Sequence, residues 1–205
     1  PQLRMEFEEE WKHLAELTQR QVESWTKRGM HKQWANRPLE WFGYIDVLIS
    51  STDWQNFIYL RDDKDAQPEM RDVAHMINHM LKMNNPLSLK PGEWHLPYIT
   101  REEEINPKID SLTLKKVSAA RCARISYKPF DGNADIDSEL RRYDNLITSL
   151  PPHASPTEHQ ATPDKRINSS TPWPERWENP KLHGNFTGWI QHRKLIANES
   201  VKEKH

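Results

Sequence analysis

Apolar residues recur at three- and four-residue steps over the first part of the chain, a spacing that predicts helices. Phe7, Trp11, Leu14, Val22 and Trp25, with Leu17 beside them, form a stripe over residues 5–28. Glu6, Glu8, Glu9 and Glu10 load its N-terminal end, where the helix dipole favours negative charge. Gly29 is a natural stop. A second helix is predicted over 31–49, kinked or restarted at Pro38 and broken by Ser50-Ser51-Thr52. Thr52 and Gln55 have capping-box spacing for a third helix, 53–61. A short charged loop, 62–67, leads to a fourth helix over 68–83, with Pro68 first and Glu69 in the first turn. Met70, Val73, Met76, Ile77 and Met80 are its expected buried stripe, and Asn84-Asn85-Pro86 ends it.

Beyond residue 85 the pattern changes. Residues 86–107 read as an irregular connection around GEWHLPYI (92–99). The run LTLKKVSAARCARISY (112–127) reads as a strand turning helical at Ser118, and 137–150 as a helix. Residues 151–180 hold seven of the fifteen prolines and few apolar residues, which predicts a long surface loop or a segment ordered by a partner. FTGWIQHRKLI (186–196) is a last apolar segment. The class expected is α+β, with a helical segment over 1–85 and a mixed α/β segment over 86–205 of one domain.

Composition narrows the function. The 205 residues include 29% charged ones, mean hydropathy is −0.95, and no run of 18 apolar residues could span a membrane, so a soluble protein is expected. The first ten residues are too charged for a signal peptide. The single Cys122 excludes an internal disulfide framework and a cysteine-rich zinc site, and suits a reducing, cytoplasmic compartment. A net charge of −1 gives no overall field for a nucleic-acid polymer or an acidic membrane, but a small anion needs only a local cluster. Nine tryptophans point to interfaces or stacking sites. The chain begins at Pro1, as a processed chain or a piece of a longer one would.

Residues 29–69 carry the densest chemistry. Asn36, Arg37, Glu40, Asn56, Arg61 and Gln67 lie among bulky apolar residues, which suggests a polar pocket in a helical core. Arg61 ends a predicted helix, so it either complements the helix C-terminus or projects into a ligand site with Asn56 and Gln67. His75 and His79 have chelating spacing but no third ligand and no glutamate between them. Ser155 with Glu158 has capping-box spacing, and Glu158-His159 also reads as an acid/base pair. Phosphate-binding glycine loops and the serine-hydrolase elbow are absent. Cys122 lies in an alanine-rich run and reads as packed rather than nucleophilic.

Five segments together resemble the flavin-dependent thymidylate synthase family in the divergent form often found in phages. They are HKQWANRPLEWF (31–42), NFIYLRDDKDAQPE (56–69) with GEWHLPYI (92–99), ARCARISY (120–127), SPTEHQA (155–161) and GNFTGWIQHRK (184–194). Their order is permuted relative to the commoner form, in which the third and fourth precede the helical core. The family's Arg-His-Arg hallmark is echoed only in QHRKLIANES (191–200). There His192-Arg193 and Asn198-Glu199 keep the spacing, while Ile196, Val201 and Glu203 replace the two serines and the last arginine. In the divergent form a similar segment lies upstream of the first helix, so the chain would be the C-terminal portion of a longer enzyme or half of a split one.

The resemblance implies a thymidylate synthase complementing protein-like fold and reductive methylation of dUMP to dTMP. FAD is the implied cofactor, with NADPH and methylenetetrahydrofolate as co-substrates. Arg61 matches an arginine that contacts the uracil ring, and Arg37 and Gln67 fall in nucleotide-binding motifs. Asn56, Ser126, Ser155 and Glu158 match flavin-contacting positions, and His192 and Arg193 match the hallmark echo. Asp65 stands where the commoner form has a histidine, and Trp41 where it has a proline. The implied partners are dUMP and either further copies in a homotetramer or a chain supplying the hallmark segment. The alternatives are a hydroxymethylase acting on a pyrimidine nucleotide, and a nucleotide-binding or assembly subunit without catalysis.

Overall fold

The computed structural model describes residues 2–125, 134–167 and 177–200; Ser126 lies outside them. The described residues form a helix-dominated α+β chain with one two-stranded antiparallel sheet. The chain divides into two compact units, Pro1–Val47 and Leu48–His205. The change of secondary-structure character expected at residue 85 thus falls inside the second unit.

The first unit is built on α1 (Gln2–Lys27). Gly29 ends it at φ 90°, and the Met30 N–H closes back on the Trp25 carbonyl at 3.0 Å. The helix expected over 31–49 is much shorter. It is α2 (Lys32–Ala35), followed by a 3-10 helix, Arg37–Phe42, because Pro38 has no N–H to continue an α ladder. Phe42 packs against Trp11 with ring centroids 5.0 Å apart, and Ala35 is fully buried. The N-terminal part of the α1 stripe, including Phe7, Trp11 and Leu14, is about half exposed, whereas Val22 is buried.

In the second unit α3 (Gln55–Arg61) and α4 (Pro68–Met83) form a hairpin. The expected bounds of α4 are met, but its expected buried stripe is not. Met76 and Met80 are 61% and 66% exposed, and only Ala74 is buried. The physical reason is length: α4's main neighbour is the seven-residue α3, which cannot cover sixteen residues. The proposed capping box of α3 also fails, because Thr52 Oγ1 accepts from the Thr187 N–H at 2.9 Å instead and Trp54 takes the cap position.

After the short α5 (Arg101–Glu104), residues 111–122 form one helix, α6 (Ser111–Cys122), where a strand start was expected. Asp110 decides this by accepting from the Thr113 N–H at 2.7 Å, an N-cap that starts the helix before the β-branched residues can extend. Helix α7 (Ile136–Thr148) packs along α6 around Ala119, Ala120 and Tyr143. Residues 151–167 are not a surface loop. Ala154, Thr157, Gln160, Ala161, Thr162 and Asp164 are all buried, and β1 (Ala161–Pro163) pairs with β2 (Trp189–Gln191) in the register Ala161↔Gln191. Prolines there shape turns around a buried strand rather than marking exposure.

Charged residues of ARCARISY staple this core. Arg124 pairs with Glu139, which is fully buried and also receives Arg142 at 2.5 Å. Arg121 makes a two-pronged contact with Glu103 at 2.7 Å on each prong. That contact is the main reason the Glu103 carboxyl is held down to about 2, below its ordinary 4.5. The stabilisation is therefore complete above about pH 4.5 and is lost as pH falls through about 2. Glu103→Gln is expected to lower stability by roughly 1–3 kcal/mol at pH 7 and to converge on wild type near pH 2, read by urea unfolding. Arg124→Leu, which leaves the buried Glu139 with Arg142 alone, is expected to cost about 1.5–3 kcal/mol. A loss below 1 kcal/mol in the same urea titration would contradict the staple.

Candidate functional site

Three of the sequence candidates sit on the α3–α4 hairpin. Asn56, Arg61 and Gln67 are all exposed, so no polar pocket closes over them within this unit. Arg61 ends α3, and its guanidinium has no ion pair or hydrogen bond among the described residues. The neighbouring Asp62 is committed: it accepts from Asn78 Nδ2 at 2.7 Å and faces His75 Nδ1 at 3.1 Å. The Asn78 hydrogen bond is the largest reason its carboxyl titrates below the ordinary value. His75 is thereby turned towards Asp62. Arg37 belongs to the first unit, where its guanidinium stacks over Trp34 at 4.8 Å.

Four other candidates converge. Ser155 and Glu158 occupy a 3-10 helix, Ser155–Glu158, that packs against a second one, His192–Leu195, carrying His192 and Arg193. Arg193 pairs with Glu158 and, at 2.9 Å, with Glu199. Lys194 also reaches Glu199, at 2.7 Å, and contributes most to lowering that carboxyl's pKa. Ser155 is not a cap. Ala154 takes that position, Ser155 is exposed, and Glu158 turns to Arg193 rather than completing a capping box.

His192 is 5% exposed, and its N–H donates to the Gln160 carbonyl at 2.9 Å. Its Nε2 lies 3.2 Å from the Tyr143 hydroxyl, and Trp94 meets the imidazole edge-on at 6.0 Å. Lys115 in turn sits over Trp94 at 4.3 Å. Nδ1 is buried without a partner in the described structure. Burial, with Lys115 and Lys116 nearby, pulls the imidazole down to about 4, so it is neutral at pH 7.

Beside this cluster is a cleft of about 350 Å³. Its floor is the sheet, where the His95 N–H donates to the Ala161 carbonyl at 2.8 Å. Its walls are the irregular segments that enter and leave the α3–α4 hairpin, including Trp54 and Leu87, with Phe186 and Trp189 from the C-terminal segment. Two hydrogen bonds hold one wall down: Ser50 Oγ to His159 Nδ1 at 3.1 Å, and Thr187 N–H to Thr52 Oγ1 at 2.9 Å. Burial lowers the pKa of both His95 and His159. The segment GNFTGW depends on its glycines. At Gly188 (φ 77°) a Cβ would lie 2.7 Å from the Trp177 ring, and at Gly184 (φ 62°) it would strike the buried Gln191 amide.

No family model, curated protein or solved structure matches the chain.

Its function is thus argued from its own residues. The structure brings Ser155, Glu158, His192 and Arg193 together, keeps Asn56, Arg61 and Gln67 on the hairpin, and places Arg37 in the other unit. Several contributors had no sequence signal of their own. Gln160 and Gln191 are fully buried and clamp the site from within: Gln191 Nε2 donates to the Glu158 carbonyl at 3.0 Å and to Asn185 Oδ1 at 2.9 Å. Both lie in segments noted in the sequence, where position alone does not separate a buried amide from a surface one. Tyr143, His95, Trp54 and Trp189 emerge only from packing.

The His192 environment predicts a pH dependence. The unfolded chain takes up a proton near the ordinary 6.5, and the folded one near 4. This contribution is full above about 6.5 and is lost as pH falls towards 4, by up to roughly 3 kcal/mol. His192→Gln is expected to flatten the stability profile over that window. A profile parallel to wild type, measured by chemical unfolding at half-unit steps, would remove His192 as its source.

Proposed function

We propose that this chain is a flavin-dependent thymidylate synthase that methylates dUMP to dTMP, with FAD as cofactor and NADPH and methylenetetrahydrofolate as co-substrates. One observation carries the reading. Four stretches that resemble the family, up to about 100 residues apart, pack together in the second unit. GEWHLPYI bridges to SPTEHQA through His95 and Ala161, SPTEHQA pairs with GNFTGWIQHRK through Ala161 and Gln191, and α6, whose last three residues open ARCARISY, packs on Ser155–Glu158.

The residues present fit an aromatic, partly polar group. The cleft is walled by Trp54, Phe186 and Trp189, and Ser155, Glu158 and Arg193 form a polar patch nearby in sequence and fold. These are the side chains that would hold FAD, whose bound ring supplies the redox chemistry. The chain itself supplies binding and electrostatics. Arg61, an exposed cation without a partner among the described residues, is suited to a pyrimidine carbonyl, with Gln67 on the same hairpin. Cys122 is buried, and burial pushes its thiol up to about 11, which agrees with a route that uses no protein thiolate. The apolar faces left open on α1 and α4 support assembly with further copies.

The test is the visible spectrum of the purified protein with FAD and dUMP, followed by turnover. A flavin spectrum near one per chain and dTMP formation are expected. Arg61→Ala should lower turnover at least 100-fold with an unchanged circular dichroism spectrum, since Arg61 is exposed. Absence of flavin binding and turnover in the presence of both ligands would favour a non-catalytic subunit, and full turnover by the variant would remove Arg61 from the site.

A further inference from the structure

Helix α7 presents two different faces. Tyr143 and Ile147 pack towards Ala119 and Ala120. On the other side Ser138, Arg141, Arg142 and Asn145 recur at i, i+3, i+4 and i+7, which brings them onto one face. With Leu146 these four line a depression of about 360 Å³. It shares no residue with the cleft against the sheet or with the Glu158–Arg193 patch. A solvated helix face would also carry polar residues at this spacing, but two observations point to a ligand. Ser138 is only 4% exposed; its Oγ accepts from Arg141 Nη2 at 2.9 Å, and its own proton has no acceptor among the described residues. Charge here is also out of balance. Arg124 and Arg142 are 16% and 21% exposed, and they share one carboxylate, Glu139. Arg141 adds a further cation with no carboxylate partner among the described residues. The other acidic groups of the helix do not restore the balance. Asp144 is turned to Lys116 at 3.1 Å, Asp135 caps the N-terminus by accepting from the Ser138 N–H, and Asp137 in the first turn makes no ion pair among the described residues.

We propose that this face of α7 binds the phosphate group of a small ligand, with Arg141 and Arg142 as its counter-charges and the Ser138 hydroxyl and Asn145 amide as further donors. Each guanidinium spends one of its nitrogens on the protein, Arg141 on Ser138 and Arg142 on Glu139 at 2.5 Å, and keeps the others. The Asn145 side chain makes no hydrogen bond among the described residues. Donors that arrive from four side chains suit a tetrahedral oxyanion; a planar carboxylate is satisfied by the fork of a single guanidinium. Two cations suit the dianion of orthophosphate or a phosphomonoester better than the single charge of a phosphodiester. Leu146 and the carbon stems of the arginines form the apolar part of the lining. The volume is at the small end for ligand pockets, enough for a phosphate with a short carbon substituent and too small for a dinucleotide. The proposal stands on α7 and its pairing with Arg124, and it does not depend on which reaction the chain performs.

The experiment is isothermal titration calorimetry of the full chain at low salt with inorganic phosphate and with ribose 5-phosphate, and with ribose as the uncharged control. At least one phosphate compound is expected to bind with a Kd below about 1 mM, and ribose not to bind. Tighter binding of ribose 5-phosphate marks a phosphorylated metabolite as the source, and equal binding marks free phosphate. Arg141→Gln and Asn145→Asp are the principal variants, because both residues are exposed and their replacement leaves the core untouched. Each should weaken binding at least tenfold, with an unchanged circular dichroism spectrum. Arg20→Gln, which removes an exposed cation in the first unit, should bind as wild type does. Binding of neither phosphate compound, wild-type affinity in folded Arg141→Gln, or equal weakening by Arg20→Gln or Arg61→Ala would overturn the proposal. Arg141-dependent phosphate binding in a chain that makes no dTMP would uphold this site while the reaction assignment fails. Formation of dTMP without such binding would do the reverse.

Discussion

Three distant stretches of the chain meet at Ala161. Its carbonyl receives the His95 N–H, it pairs in register with Gln191, and the residue before it accepts the His192 N–H through its carbonyl. These are backbone hydrogen bonds in a buried place, where an unpaired amide would cost about as much as a lost bond. The ladder is only three residues long on each side. It fixes where His192 enters the core, where Arg193 meets Glu158, and where Trp189 and His95 face the cleft.

Around that ladder, charge is neutralised in pairs. Glu139 holds Arg124 and Arg142, Glu103 holds Arg121, Asp164 takes His183 and Asn179, and Glu158 and Glu199 share Arg193. Such pairs are weak arguments for stability but strong ones for register, since removing one member leaves a buried charge. Against this background three groups without hydrogen-bond or ion-pair partners among the described residues matter. Arg61 is a cation on an exposed helix end, His95 faces a cleft, and His192 Nδ1 is buried without a complement. Unmet capacity in a buried place, as at His192 Nδ1, is where ligand chemistry is expected.

Helix α4 shows how far local pattern reaches. Its bounds follow from Pro68 at the first position, Glu69 in the first turn and the stop before Pro86, all local effects. Its apolar stripe is equally plain in the sequence, but periodicity says only that a face is apolar, not that anything covers it. The same holds for α1, whose N-terminal face stays open beside Trp11 and Phe42. Residues 151–167 show the converse. Their prolines and polar side chains read as a loop, while in the fold Gln160, Thr162 and Asp164 are buried because each finds a partner from another segment, and the buried Thr157 hydroxyl donates to the Ala154 carbonyl.

By itself, the sequence determined the helical character of α1, α4, α7 and the later part of α6, the stop at Gly29, and the packed nature of Cys122. Those properties depend on neighbours within a few positions: helical periodicity, capping, proline and glycine. Only the tertiary structure decided that Thr52 serves Thr187 rather than its own helix, that Glu158 faces Arg193 rather than capping a turn, and that Trp54, His95 and Trp189 line one cleft. Each of those outcomes joins residues from about 35 to 135 positions apart. A hydrogen-bonding side chain with several partners within reach of its chemistry takes the one that the packed fold delivers.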